Sequence, residues 1–376
     1  MPSHPEPAQD STRESRPLDL HADVAVLTAA LLDVESVSGN EATLADQVEQ
    51  ALRALGHLQI TRDGDAIVAR TELGRAERVI LAGHLDTVPL PTTPGSRGTV
   101  PSSWEGSVGD GVLYGRGAVD MKGGVAVQLA LAATLTEPIR DLTFVFYDHE
   151  EVEASLSGLA RLARNHRELL DADFGILLEP TDGVVEGGCN GTMRFEARTR
   201  GQAAHSARAW MGHNAIHDAA EILSRLRDYD PLTVAVDGLD YRESLNAVKI
   251  RGGIAGNVIP DEAVVEINYR FAPDKSLDQA EAVVRELLEG FELDRTDAAP
   301  GARPGLDQPA AAAFVAAVGG QPKPKFGWTD VARLGQLGIP AVNFGPGDAL
   351  LAHSDDEHVS GQAVRDCLAA LTRWLS

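Results

Sequence analysis

The sequence predicts an α/β protein in which a mainly parallel sheet carries an inserted α+β unit. Short apolar β-type runs alternate with helical segments up to about residue 183, which is typical of a parallel sheet. Strands that alternate apolar and polar residues then dominate up to about residue 294. Apolar segments return from residue 295 to the end, so we expect the first unit to close around the insertion.

The first unit begins with two helical segments, DVAVLTAALLDVES and NEATLADQVEQALRALG, the second ending at Gly56. Strands follow at AIVAR and RVILAGHLD, then a buried helix at GGVAVQLALAATLTE and strands at LTFVFYDHEE and FGILLEP. We assign 18–183 and 295–376 to this unit. The polar, Pro-rich residues 1–17 predict a disordered lead-in, with a partner-binding arm as the alternative.

The insertion, 184–294, is predicted to form a small antiparallel sheet with helices on one face. Its strands are GTMRFEARTRG, SLNAVKIRGG and DEAVVEINYRFAP. Its helices are NAIHDAAEILSRLRDY and SLDQAEAVVRELLEGF, the second opened by Ser276. The segment RTDAAPGARPG is predicted to be a linker back to the first unit, which AAAFVAAVGG, GIPAVNFGPG and GQAVRDCLAALTRWL complete.

Composition excludes several functional classes. A net charge of −23 argues against nucleic-acid binding, because a polyanion would be repelled. No apolar run reaches the roughly 18–20 residues of a membrane span, and the N-terminal stretch lacks the apolar core of a signal peptide. The two cysteines, Cys189 and Cys367, fit a reducing compartment. We therefore expect a cytoplasmic protein that binds neither nucleic acid nor membrane.

Residues of the types that bind metals collect where predicted strands or loops end. They lie in GHLDT, GRGAVDMKGG, YDHEE, LLEP and LLAHSDDEH: His84, Asp86, Asp120, Glu150, Glu151, Glu179 and His353. Imidazole with carboxylate is the ligand set of catalytic zinc. Taken singly, each motif also fits a structural histidine, a turn or a solvated acidic surface. Two carboxylates at the tip of a buried strand, however, favour a bound cation, because close like charges cost stability.

Taken together and in this order, the motifs resemble the M20 family of dinuclear zinc aminoacylases and peptidases from about residue 18 to the end. The resemblance implies two Zn²⁺ ions per subunit, with Co²⁺ as a substitute. It implies that Asp120 bridges the ions, that His84 and Glu179 complete one site, and that Glu151 and His353 complete the other.

The resemblance further implies that Glu150 is the general base. Asp86, two residues after His84, is expected to accept a hydrogen bond from the His84 ring and fix its tautomer. His149 stands where acidic residues are common in the family. It either hydrogen-bonds a neighbouring carboxylate or is a neutral substitution.

In the inserted unit, a histidine that caps local backbone would be the ordinary interpretation of His205. The resemblance instead implies that His205 reaches across a homodimer interface, formed by the insertion, to stabilise an oxyanion. Asn257 and Arg270 match positions that bind substrate carboxylates, for which the planar guanidinium fork is suited. Further substrate-binding candidates are Ser206, Arg208 and Thr329.

Longer stretches, among them GTMRFEARTRGQAAHSARAWMGHNAIH and GIPAVNFGPGDALLAH, favour one branch of the family. That branch hydrolyses N-succinyl-LL-2,6-diaminopimelate to succinate and LL-2,6-diaminopimelate in lysine and diaminopimelate biosynthesis. The expected partner is thus a small anionic acyl-amino acid. Alternatives are an acetylornithine deacetylase, aminoacylase or dipeptidase of the same family, or a catalytically silent homologue that acts as a binding protein.

Overall fold

The computed structural model describes residues 17–376, so the predicted lead-in lies outside the described residues except for Pro17. The helices of the described part are α1 (Val24–Leu32), α2 (Ala42–Leu55), α3 (Gly123–Thr134), α4 (Gly158–Asn165), α5 (Ala215–Asp228), α6 (Leu277–Leu287), α7 (Pro309–Val318), α8 (Val331–Gln336) and α9 (Gly361–Leu375). None of these helices is long and apolar enough to cross a membrane.

The strands of residues 17–376 fall into four sheets. In chain order they are β1 (Gln59–Asp63), β2 (Ala66–Arg70), β3 (Arg78–His84), β4 (Ser103–Glu105), β5 (Val112–Tyr114), β6 (Asp141–Tyr147), β7 (Phe174–Leu177), β8 (Glu186–Gly187), β9 (Gly191–Arg200), β10 (Thr233–Val236), β11 (Leu239–Arg242), β12 (Ser244–Gly252), β13 (Glu262–Phe271), β14 (Glu292–Ala299), β15 (Lys323–Pro324), β16 (Ala341–Asn343) and β17 (His358–Ser360).

The largest sheet has eight strands in the order β1-β2-β6-β3-β7-β16-β8-β15. Its central strands β6, β3, β7 and β16 run parallel, as predicted. Successive residues of β3 alternate between two apolar cores, Val79 and Leu81 on one face and Ile80 and Ala82 on the other. Helices therefore cover both faces, which explains the nearly continuous apolar sequence of these strands.

The second sheet is antiparallel, in the order β12-β13-β9-β14, and spans Gly191 to Ala299. Helices α5 and α6 pack on one face around Phe195, Ile222 and Val284. Ser276 caps α6 with a reciprocal capping box, as the sequence indicates. We propose 191–299 as the inserted unit in place of 184–294, because β8 pairs within the large sheet.

Two local predictions in this unit were wrong or incomplete. The stretch RTDAA, predicted to be part of a linker, belongs to β14, which pairs with β9. This strand lies at the sheet edge and is mostly polar, so its sequence does not show the apolar pattern of a strand. The hairpin β10–β11 was missed altogether. Its turn places Asp237 and Gly238 at φ +47° and +85°, the left-handed pair that a tight two-residue hairpin turn requires.

Candidate metal centre

Strand ends of the large sheet bring the predicted ligands to one edge. His84 is the last residue of β3, the Glu150–Glu151 pair follows β6, and Glu179 follows β7. Asp120 lies in the turn Ala118–Lys122 directly before α3, where its backbone is extended rather than helical. His353 comes from the loop before β17. The carboxyl ends of parallel strands share an edge, so the side chains that follow β3, β6 and β7 meet there. Asp120 and His353 join them from the turn and the loop.

Asp120 lies at the centre of the cluster. Its Oδ1 is 3.0 Å from His84 Nε2, and its Oδ2 is 3.2 Å from His353 Nε2. His353 Nε2 also lies 3.0 Å from Glu151 Oε1. Three groups of residues can each place one ligand atom per residue within 4.8 Å of one another: His84–Glu150–Glu151, His84–Asp120–Glu179 and Asp120–Glu151–His353. We refer to the last two as the two triads. They share Asp120, which is the arrangement that a bridging carboxylate requires.

The cluster crowds carboxylates into a buried space. Burial, and then the neighbouring charges of Glu151 and Glu179, raise the pKa of Glu150 well above its ordinary value. Burial and the charge of Asp120 raise the pKa of Glu179 to about 8. Such carboxyls hold protons near neutral pH unless a cation replaces the protons.

The pKa values of the two imidazoles are raised as well, but for these groups a raised pKa favours the charged form. Hydrogen bonds with Asp120 and Glu151 raise the pKa of His353 to about 10. Burial alone would lower the pKa of His84, but the carboxylates, foremost Asp120, raise it well above its ordinary value. Protonated imidazoles thus supply the positive charge among these carboxylates. This donor set, two imidazoles and several carboxylates around one shared carboxylate, fits a pair of divalent ions of the zinc type.

The predicted role of Asp86 was wrong in its detail. His84 Nδ1 lies 2.9 Å from the backbone carbonyl oxygen of Asp86 and 3.6 Å from its carboxylate. The backbone carbonyl therefore fixes the tautomer, leaving Nε2 to face Asp120. The buried carboxylate accepts the N–H groups of Glu150 and Glu151 instead, because residue 86 has already turned away from the ring towards the loop after β6.

His149 takes the first of its two expected roles. Its Nδ1 lies 2.8 Å from Asp148 Oδ2, and its backbone N–H donates to Glu41 Oε1 at 3.3 Å. His149 has φ +58°, and this left-handed turn directs Glu150 and Glu151 towards the cluster.

A cavity of about 800 Å³ opens over the cluster. Eight acidic residues, four of them from the cluster itself, line this cavity together with five cationic side chains. The cationic side chains are Arg194, Arg270, Lys323, Lys325 and Arg333. Of the predicted substrate contacts, Arg270 and Thr329 reach this cavity. The Thr329 hydroxyl is buried and donates to Asn343 Oδ1 at 2.8 Å. Its proton is therefore already used in a hydrogen bond within the protein.

Four other predicted site residues lie away from this cavity in the single chain: His205, Ser206, Arg208 and Asn257. All four are exposed. His205 Nδ1 accepts the N–H of Ala207 at 3.0 Å, and Ser206 donates its N–H to the Asn257 carbonyl at 2.9 Å. Within one chain, His205 therefore makes the local backbone cap that is its ordinary interpretation.

Sequence reasoning missed Asp330, which is fully buried near the cluster. Burial raises the pKa of Asp330, although the charge of Arg333 opposes this, and its Oδ1 is 2.6 Å from Arg333 Nε. It also missed Arg194 and Lys325 in the cavity wall. In the sequence, only their position beside recognised motifs points to these three residues. Their spacing does not indicate a substrate-binding or metal-binding role.

Comparison with known proteins gives a consistent result. The model of "Peptidase family M20/M25/M40" matches residues 80–376. A Mycobacterium tuberculosis protein described as a putative succinyl-diaminopimelate desuccinylase is 51% identical over 361 residues, covering 95% of this chain and 99% of the relative. The succinyl-diaminopimelate desuccinylase of Corynebacterium glutamicum is 44% identical over 370 residues, covering 96% and 98%.

Solved structures agree on the fold. An M20 family metallo-carboxypeptidase from Sulfolobus solfataricus superposes with a TM-score of 0.76 at 17% identity, covering 94% of this chain and 98% of that one. A tripeptidase from Staphylococcus aureus superposes with a TM-score of 0.73 at 22% identity, covering 95% and 98%.

Proposed function

The chain belongs to peptidase family M20/M25/M40, and from that premise we propose that it hydrolyses N-succinyl-LL-2,6-diaminopimelate to succinate and LL-2,6-diaminopimelate. The observation that carries the hydrolase class is the pair of ligand triads that share Asp120 beneath a cavity with Arg194 and Arg270 in its wall. The succinyl substrate follows from the relatives described as desuccinylases, which align over nearly the whole chain.

We assign the two triads as the ligand sets of two Zn²⁺ ions, with Co²⁺ as a substitute. His84 and Glu179 would hold one ion, Glu151 and His353 the other, and Asp120 both. Bound divalent ions of this kind lower the pKa of a water molecule and polarise the scissile carbonyl.

Glu150 is assigned as the proton carrier. It lies in a cluster with His84 and Glu151 but is not needed in either of the two triads. Burial is the first cause of its raised pKa, and the charges of Glu151 and Glu179 raise that pKa further while the charge of His84 opposes them. Glu150 would take a proton from the attacking water and return it to the leaving amine.

The cavity cations supply the recognition of an anionic substrate. Arg270 comes from β13 and Arg194 from the adjacent strand β9, where Arg194 pairs in register with Asn268. Burial, and then the neighbouring charge of Arg194, lower the pKa of Arg270, which is the signature of two close guanidiniums. A succinyl carboxylate placed here would relieve their repulsion.

We further propose a homodimer through the inserted unit, in which His205 of each subunit serves the other subunit's site as an oxyanion donor. Apolar side chains in the region of His205 and along β12 support this, because they are exposed in the single chain: Trp210, Met211, Val248, Ile250 and Ile254. The same surface loops carry Asn257, Ser206 and Arg208. In the dimer these residues would lie beside His205 at the partner's site. The enzyme would act in the cytoplasm, in lysine and diaminopimelate biosynthesis.

The decisive experiment is amine release by the zinc-loaded protein from N-succinyl-LL-2,6-diaminopimelate, N-acetylornithine and a dipeptide at equal concentrations. We expect kcat/KM to favour the succinyl compound by about two decades or more, the preference that a buried polar pocket can provide. Comparable or reversed rates would assign the chain to a deacetylase, aminoacylase or dipeptidase of the family. No hydrolysis together with no bound metal would favour a silent binding protein.

A further inference from the structure

A buried ion pair lies behind the candidate metal centre. Arg116 Nη1 donates to Glu357 Oε2 at 2.7 Å, and the two side chains are 4% and 0% exposed. Neither residue lines the cavity, so neither is placed to contact a substrate. Buried ion pairs add little net stability, because desolvation of both charges offsets their attraction. The contacts of this pair point to a different role.

Glu357 holds the turn that carries Asp120. Its Oε1 accepts the backbone N–H of Val119 at 3.1 Å and that of Asp120 at 3.2 Å. These two bonds fix the backbone from which the shared carboxylate projects towards His84 and His353.

Arg116 contacts the loop that carries His353, the histidine of the Asp120–Glu151–His353 triad. Its Nη1 also donates to the carbonyl oxygen of Ser354, the residue after His353, at 3.2 Å. His353 has φ +63°, a conformation that non-glycine residues adopt only where the surrounding structure supports it. The ion pair thus joins the turn of Asp120 to the loop of His353 across 241 positions of sequence.

We propose that Arg116 and Glu357 are positioning residues that hold Asp120 and His353 ready to bind the metal of the Asp120–Glu151–His353 triad. The arrangement parallels Asp86, whose buried carboxylate likewise accepts two N–H groups of a ligand-bearing turn. Ligands fixed before binding lose less freedom when the metal arrives. The inference rests on the proposed metal centre.

The test is a zinc titration of the metal-free protein by calorimetry, with the metal content checked by equilibrium dialysis. Glu357→Gln keeps the size of the side chain but supplies an NH₂ where either the turn or Arg116 requires an acceptor. We expect the affinity for the ion of the Asp120–Glu151–His353 triad to fall about ten- to a hundredfold. The affinity for the other ion should fall less, because that ion shares Asp120 but not His353. Arg116→Lys keeps the charge opposite Glu357 and should show a smaller loss of the same kind.

The matched control is Glu243→Gln in the inserted unit. Glu243 is also fully buried and accepts the N–H of Ala272 at 2.8 Å and the Lys275 ammonium at 2.8 Å. It does not line the cavity. This variant should lose thermal stability while keeping both zinc affinities, which separates a general structural effect from a positioning effect.

Two results would overturn the proposal. Folded Glu357→Gln or Arg116→Lys protein with both zinc affinities as in the wild type would remove the positioning role alone. A wild-type chain that binds no divalent metal would remove the proposed function as well. If Glu357→Gln does not fold, the Arg116→Lys titration decides by the same criterion.

Discussion

The carboxylate of Asp86 accepts the backbone N–H of Glu150 at 3.0 Å. Its second oxygen accepts the N–H of Glu151 at 3.1 Å and the hydroxyl of Ser38 at 2.6 Å. A fully buried side chain just after β3 thereby fixes the turn after β6 that presents both glutamates. Three donors to one carboxylate satisfy its hydrogen-bonding capacity in a buried position.

Asp86→Asn should reduce both zinc affinity and turnover, by about ten- to a hundredfold, because an amide cannot accept on both sides and one N–H group is left facing an NH₂. The unsatisfied pair should also cost about 1–3 kcal/mol of stability. Zinc titration, kcat and thermal unfolding check this. Ser38→Ala, which removes only the hydroxyl donor, is the control, and an effect as large in that variant would contradict the role of the two amides.

Glu150→Gln should bind zinc as the wild type does and lose roughly 10²–10⁴ in kcat, since only the proton carrier is removed. Steady-state kinetics on protein of measured metal content test this. Glu153→Gln, an exposed acidic neighbour, should keep normal turnover. A wild-type kcat in the Glu150→Gln protein would show that Glu150 is not the proton carrier.

His205→Ala should lower kcat without changing zinc content, because His205 contacts no residue of the ligand cluster in its own chain. If His205 serves the partner's site, subunit mixing will show it. Equal amounts of inactive Glu150→Gln and His205→Ala subunits, dissociated and reassembled, should regain about a quarter of wild-type activity, since half the dimers then hold one intact site. Each variant reassembled with itself is the control. No recovery in verified mixed dimers would place His205 outside catalysis in the partner subunit.

Metal-free protein should lose stability as pH rises from about 6 to about 8.5. The folded chain keeps the His353 proton up to about pH 10, whereas the unfolded chain releases it near 6.5. Glu179 keeps its proton up to about pH 8 against 4.5 when unfolded. Up to about pH 8 both groups bind more protons in the folded state, and above it His353 alone does, so folding is weakened as pH rises through this window.

Zinc competes with these protons, so the increase in Tm that zinc produces should be larger at about pH 8 than at about pH 6. Thermal unfolding with chelator and with zinc, at both pH values, checks this and the loss of metal-free stability together. A zinc-induced shift that shrinks as pH rises would show that these protons do not oppose metal binding.

The sequence was sufficient to predict the parallel sheet and the meeting of His84, Glu150, Glu151 and Glu179. Continuous apolar runs imply strands covered on both faces, and parallel strands end at a common edge. Residues that follow such runs therefore meet whatever the details of packing. Asp120 and His353 lie in a turn and a loop, and the family motif order, not strand periodicity, pointed to them.

Only the tertiary structure decided which group does what around that edge. In that structure the His84 ring lies against the backbone carbonyl of Asp86, and the Asp86 carboxylate accepts the backbone N–H groups of Glu150 and Glu151. The tertiary structure also paired Arg116 with Glu357. These choices depend on hydrogen-bond geometry at the level of 1 Å and on contacts between distant segments, neither of which leaves a periodic pattern in the chain. Local periodicity determines the elements, whereas the partners of buried polar groups are determined only when those elements pack together.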